Sequence, residues 1–235
     1  MLDNLVSEND LLAKLPKNEL QRLIAHLQLT ELTKEQILYK ADALIKYIYF
    51  PVTSLISLMA GSANGQFLEV GAAGSNGMLG LPALLRARSM PFRAIVQIPG
   101  NAWRIRADVL KTEFDRGRKL QEVLLRYLQV LITQLSQSAV CNRFHKIEER
   151  FSRWLLGCHD GLKSNELYLT HQSIALTLGV PRTLITMTAT KLQREGIIDY
   201  HRGRITILDR EGLEEVACEC HRIVQNESAM LLDKI

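Results

Sequence analysis

Between residues 9 and 29 the apolar positions Leu11, Leu12, Leu15, Leu20, Leu23, Ile24 and Leu27 recur at helical spacing, interrupted once by Pro16. The pattern then changes to short β-rich runs at residues 37–39, 47–50, 55–59 and 66–70. Pro51, Gly61, Gly65, Gly71, Gly74, Gly77 and Gly80 punctuate them. Residues 92–98 alternate with period two, placing Phe92, Ala94, Val96 and Ile98 on one face and Arg93 and Gln97 on the other. Short strands at this spacing predict a compact antiparallel barrel or roll, not βαβ units. From about Ala107 to Asn142 the period becomes helical. Leu124, Leu128, Leu131 and Leu135 form a seam of period 3.5, which serves either a dimer interface or a core helix packed on its own domain. Phe144, Ile147, Phe151, Trp154, Leu155 and Cys158 continue as an amphipathic stripe.

Residues 170–208 carry the clearest chemistry. Thr170 is a suitable N-cap, Ile174 and Leu178 lie one turn apart on an inward face, and Ala175 is small where a second helix crosses. Gly179 tolerates left-handed dihedrals and makes the tight turn, and Pro181 suits the start of a second helix. Leu184, Ile185 and Leu192 are its expected buried side. Two short strands follow around His201-Arg202-Gly203, a hairpin tip bracketed by Arg202 and Arg204. This is a helix-turn-helix with a basic wing, and it predicts binding to double-stranded DNA. Such a second helix uses its N-terminal residues on base edges, where an arginine can donate two hydrogen bonds to guanine. Arg182 is therefore the expected main reader, with Thr183, Thr186 and Met187 beside it. Thr170, His171, Gln172, Thr190, Lys191, Arg202 and Arg204 are expected at phosphates.

The remaining features exclude more than they add. The chain has 235 residues, 23% of them charged, and a net charge of +4, which permits nucleic acid without requiring it. Residues 1–5 lack a secretory pattern, and no apolar run is long enough for a membrane span, so a cytoplasmic protein without membrane partners is expected. Four cysteines at irregular spacing read as reduced thiols. Cys218-Glu219-Cys220-His221 invites a metal, but residues 211–228 look like one helix. Residues two apart on a helix point about 200° from each other. Cys218 and His221 could share an ion and Cys218 and Cys220 could not, so no metal site is expected. Cys158-His159 reads as a core thiol beside a surface imidazole. No phosphate loop, nucleophile elbow or His-Glu-x-x-His pattern appears, and a non-enzyme is expected.

Four pieces resemble the cAMP receptor protein/fumarate-nitrate reduction regulator (CRP/FNR) family of bacterial transcription factors. They are Tyr47-Ile48-Tyr49-Phe50-Pro51, Gly77-Met78-Leu79-Gly80-Leu81, Glu148-Glu149-Arg150-Phe151 and the block 169–208. The resemblance implies an α+β protein: a cyclic-nucleotide-binding-like β-roll over residues 1–118, a long dimerisation helix over 119–142, and a winged helix-turn-helix over 143–235. It favours a homodimer through Leu124, Leu128, Leu131 and Leu135, and RNA polymerase as a further partner. It also places an effector pocket at Met78, Leu79, Gly80, Arg88, Ser89 and Met90. Methionine stands where nucleotide binders of this fold carry a ribose-binding glutamate, and Met90-Pro91 replaces their phosphate-holding arginine-serine pair. Cyclic AMP or GMP is therefore not expected, with Arg88-Ser89 on a shifted loop as the remaining route. An iron–sulfur version needs clustered N-terminal cysteines, yet the first here is Cys141; a haem version needs axial ligands, yet only His26 precedes the long helix. The cofactor and effector stay unknown. Where the cAMP receptor protein offers arginine, glutamate and arginine to bases, this chain offers Arg182, Thr183 and Met187. A homodimeric, sequence-specific transcription regulator follows. The alternative is a ligand-binding or oligomerising module whose winged helix makes protein contacts.

Overall fold

The computed structural model describes residues 6–232; residues 1–5, which the absence of an export signal was read from, and residues 233–235 lie outside the described part. Two short helices open it, α1 (Asp10–Ala13) and α2 (Lys17–Ile24). Asn9 caps α1 through its side-chain oxygen, while its amide nitrogen donates to the carbonyls of Pro51 and Gly77 at 2.9 Å each. One buried side chain thus starts the helix and fastens it to the strands.

Seven strands follow: β1 (Gln28–Leu32), β2 (Ile37–Tyr39), β3 (Tyr47–Pro51), β4 (Leu55–Gly61), β5 (Phe67–Ala73), β6 (Arg93–Ile98) and β7 (Gly100–Arg106). They form two antiparallel sheets, ordered β1-β7-β3 and β2-β6-β4-β5. The antiparallel roll is as predicted, and β6 buries Ala94, Val96 and Ile98 in strict alternation. The helical reading of residues 25–29 is corrected. Helix α2 stops at Ile24, and Gln28–Leu32 pairs with β7, so cross-strand hydrogen bonds override a helical leucine spacing. Tyr39, Tyr49, Ile56, Leu58, Leu79, Met90 and Val96 fill the space between the sheets.

After α3 (Ala107–Phe114) comes the 26-residue helix α4 (Lys119–Phe144). It breaks at His145, whose ψ of 147° leaves the helical region, and α5 (Ile147–Leu162) departs from there. The break separates Phe144 from the stripe it was expected to join: Phe144 is 74% exposed, while Phe151, Trp154, Leu155 and Cys158 are buried. The winged unit follows as β8 (Glu166–Tyr168), α6 (His171–Leu178), α7 (Arg182–Arg194), β9 (Ile198–His201) and β10 (Arg204–Ile207). It ends with α8 (Arg210–Val216). The expected continuous helix over 211–228 is two helices, because Ala217 is extended (φ −68°, ψ 151°) and α9 begins at Cys220. Helix α9 (Cys220–Leu232) lies along α4, with Leu231 and Leu232 packed in the core beneath the roll. Asp160 on α5 anchors it, accepting from His221 at 2.8 Å and Gln225 at 2.6 Å. His159 is no free surface imidazole: it bonds Asn165 at 2.8 Å and Arg210 at 2.5 Å.

The roll and α5 meet backbone to backbone. A Cβ on Gly74 would lie 2.4 Å from Gly161 Cα and carbonyl oxygen, and the Ser75 amide donates to that carbonyl at 2.7 Å. Beside this contact Glu69 on β5 accepts from the Trp154 indole at 2.9 Å and from the Ser57 hydroxyl. Burial pushes the Glu69 carboxyl up to about 7, against the opposing pull of those two hydrogen bonds and of Arg153.

Two predictions follow from this seam. Gly74→Ala should destabilise the chain by about 1–3 kcal/mol, since backbone on both sides must move; an unchanged thermal midpoint would contradict the contact. A carboxyl raised on folding contributes stability that is complete below about 4.5 and lost as pH rises through about 7. The stability of Glu69→Gln relative to the parent should therefore grow with pH across that window in urea titrations. A difference independent of pH would count against the buried carboxyl.

Candidate nucleic-acid interface

Helices α6 and α7 and the sheet β8-β10-β9 share one core of Phe151, Trp154, Leu155, Ile174, Ala175, Leu178, Ile185, Ala189, Leu192 and Ile205. Thr170 caps α6, accepting from the Ser173 amide at 3.1 Å. Gly179 ends it with φ 65°, and Pro181 stands just before α7 as its N-cap. At the wing tip Arg202 (φ 47°) and Gly203 (φ 82°) both have positive φ between the paired residues His201 and Arg204. Two positive-φ residues make the type I′ turn whose twist matches a two-stranded hairpin.

The second helix turns Ile185, Thr188, Ala189 and Leu192 inward. Leu184, expected inside, is exposed, and Thr188 takes the buried place. Arg182, Thr183, Thr186, Met187 and Thr190 line the outer side, all exposed. The Arg182 guanidinium makes no hydrogen bond or ion pair among the described residues, so its five donors are free for a ligand. Met187 is 68% exposed. The hydroxyl of Thr186 is already engaged, donating to the Arg182 carbonyl at 3.1 Å and lying 3.0 Å from His171 Nδ1. Thr190 likewise donates back to the Thr186 carbonyl at 2.8 Å. What these two threonines offer outward is chiefly a methyl group.

His171 departs from its expected phosphate role. It is buried, stacked on Tyr200 of the wing with ring centroids 4.0 Å apart, and its Nε2 is enclosed. Burial, followed by the charge of Arg182, pushes its pKa below the usual histidine value, which disfavours the cation a phosphate contact would use. It instead locks α6, α7 and β9 together. Gln172 and Arg202 are exposed as expected. Lys191 and Arg204 are exposed too, yet each has an acid beside it: Glu148 is 2.6 Å from Lys191, and Glu166 is 3.7 Å from Arg204. Sequence reasoning missed both acids. Glu148 precedes Lys191 by 43 residues, with no pattern linking them, whereas the β8–β10 pairing could have suggested Glu166.

The residues expected to line an effector pocket are largely taken up by packing. Met78 packs in the core under α4, Leu79 and Met90 fill the roll, and Arg88 is exposed. Gly80, at φ 97°, lies against Tyr39 and Ile48, leaving no room for a Cβ. A cleft of about 980 Å³ lies elsewhere, between the β4–β5 hairpin and α6, with Phe67, Arg93, Leu176 and Val180 in its walls. Part of the expected dimer seam is turned inward in the single chain. Leu124 is buried in its own chain's core, and Leu131 packs against the cores under and inside the roll. Leu128 packs against the same core and Leu135 is half-buried, while the exposed apolar positions are Leu125, Ile132, Ala139 and Val140.

Residues 149–216 match the family model described as the Crp-like helix-turn-helix domain. Comparison with curated proteins gives no significant match. Among solved structures, FixK2 from Bradyrhizobium japonicum superposes with a TM-score of 0.70 at 15% identity, over 82% of this chain and 98% of that one. A putative transcriptional regulator of the crp/fnr family from Eubacterium rectale gives 0.65 at 20%, over 88% and 96%. The c-di-GMP responsive regulator CLP from Xanthomonas campestris gives 0.65 at 15%, over 82% and 99%. Residues 149–216 thus resemble a Crp-like helix-turn-helix domain, and the chain that carries them shares its fold with a solved regulator of the crp/fnr family.

Proposed function

We propose that the chain is a sequence-specific DNA-binding transcription regulator that works as a homodimer. The observation that carries this reading is the first turns of α7, where the unpaired Arg182 stands beside exposed Thr183 and Met187 and no side chain covers them. Placed in a major groove, Arg182 would hydrogen-bond guanine O6 and N7. Thr183 would bond or touch a neighbouring base, while Thr186 and Met187 would favour a thymine methyl. Gln172, Thr190, Lys191, Arg202 and Arg204 would meet phosphates and fix the docking register. The Thr170 hydroxyl stays in its cap.

The exposed positions Leu125, Ile132 and Ala139 of α4 recur every seven residues, and Ile132 is 47% exposed in the single chain. Two such seams packed together would bury these positions and set two winged units on half-sites one helical turn apart, with RNA polymerase as the protein that reads the bound dimer. The place for a small effector is the cleft between the β4–β5 hairpin and α6. A ligand there touches both units and shifts their balance to the extent that it prefers one arrangement.

A selection from random duplexes should return a twofold-symmetric site, bound more weakly as salt rises. Arg182→Ala should lose about 1–3 kcal/mol on that site while leaving nonspecific affinity and folding nearly unchanged; unaltered selectivity in gel shifts would sink the assignment. Ile132→Asp should sediment as a monomer and bind the full site about 100-fold more weakly, because the second half-site no longer binds intramolecularly. A dimer of parental strength would place the interface elsewhere.

A further inference from the structure

The break between α8 and α9 gathers four side chains that the sequence holds far apart. Cys141 lies in the last turn of α4, and His145 caps that helix one turn later. Cys218 sits in the connection after Ala217, and Cys220 is the first residue of α9. In one continuous helix Cys218 and Cys220 would point apart, but the extended residue at 217 turns both toward Cys141. The three sulfurs and the histidine nitrogen all lie within 4.8 Å of one another. Cys141 Sγ is 3.5 Å from Cys218 Sγ, and Cys220 Sγ is 3.6 Å from His145 Nδ1. A zinc ion bound tetrahedrally at about 2.3 Å from sulfur and 2.1 Å from nitrogen has sulfur–sulfur edges of about 3.8 Å and sulfur–nitrogen edges of about 3.6 Å. We propose that Cys141, His145, Cys218 and Cys220 form a closed, tetrahedral site for a single zinc ion.

Three surrounding features fit that ligand set. The other nitrogen of His145, Nε2, lies 3.3 Å from the Glu219 carboxylate, which fixes the tautomer and leaves Nδ1 toward the thiols. The three cysteines pack against one another as a small buried cluster of their own, enclosing sulfur instead of aliphatic carbon. Three thiolates and a dication leave one negative charge, and two guanidiniums are at hand: Arg153 and Arg150 both interact electrostatically with Cys141. Their buried Nε atoms have no hydrogen-bond partner among the described residues. Four protein ligands leave no open position, so the site is structural. It clamps the end of the winged unit to the foot of α4, at the point where α4 gives way to α5. A disulfide would need only two of these sulfurs and would leave the histidine and the Glu219 contact without a purpose.

The test uses the full-length chain, expressed without a histidine tag in zinc-supplemented medium and purified without chelators. Elemental analysis should find one zinc per chain in the parent and in Cys158→Ser, and little in a Cys218→Ser/Cys220→Ser double variant. Exchange into cobalt should give the intense visible bands of a tetrahedral ion and thiolate charge transfer. Glu219→Gln, which keeps all four ligands, should retain the fold and lose about 10-fold or more in zinc affinity against a chromophoric chelator. This variant carries the test if the double variant fails to fold. Metal-free parent protein that takes up neither zinc nor cobalt, stoichiometric iron in place of zinc, a Cys141–Cys218 disulfide in freshly purified protein, or an octahedral cobalt spectrum would each overturn the proposal.

Discussion

Helix α4 has one circumference and three claims upon it, and the arrangement of the whole chain follows from how those claims are divided. With about 100° between successive residues, positions that share a face recur every three or four. Val123, Leu124, Tyr127 and Leu131 go to the roll and the core beneath it, and the Tyr127 hydroxyl donates to the Met78 carbonyl at 3.2 Å. A second strip receives α9: Arg126 donates to the Leu231 carbonyl and Gln129 to Glu227. Only the third strip, around Ile132, stays open. The register of any partner helix is therefore set by what the single chain has already buried. The foot of the same helix supplies Cys141, so a change in its rotation would move the roll, the last helix and the cysteine cluster together.

Much of this was legible in the sequence where local chemistry and tertiary context agree. The alternation in β6, the cap at Thr170, the glycine turn at Gly179 and the basic hairpin tip each have a local physical cause, and each is where the pattern puts it. What was not legible depends on distant partners. Gln28–Leu32 is a strand because β7 is beside it. Leu124 and Leu125 are equally apolar neighbours, and which one faces out depends on where the roll docks. The break at residues 217–219 has no glycine or proline to announce it, and that is why the cysteines looked incapable of converging.

The proposed DNA-facing surface shows the same split. Exposure at Arg182, Thr183 and Met187 follows from helical spacing once Ile185 and Leu192 are placed in the core. His171 does not, because its place is fixed by Tyr200 on the wing and Thr186 on the next helix, 29 and 15 residues later. A polar side chain at a helix start reads as a ligand for solvent or phosphate until its stacking partner is known. Here the imidazole makes the two helices and the wing one rigid piece.

The acids beside Lys191 and Arg204 change what those cations mean for ion release. A free surface cation that meets DNA releases a condensed counterion from the phosphate it neutralises, and the count of such events sets how steeply affinity falls with salt. Lys191 and Arg204 each have an acid beside them, Glu148 at 2.6 Å and Glu166 at 3.7 Å, and docking on DNA would have to part each pair or share the cation with the acid. Two of the basic residues along the expected DNA path thus carry their own counter-ions, covalently attached. On the proposed DNA-binding role, the salt dependence of this surface would be shallower than its tally of lysines and arginines suggests, and the charges freest to steer it would be Arg182 and Arg202.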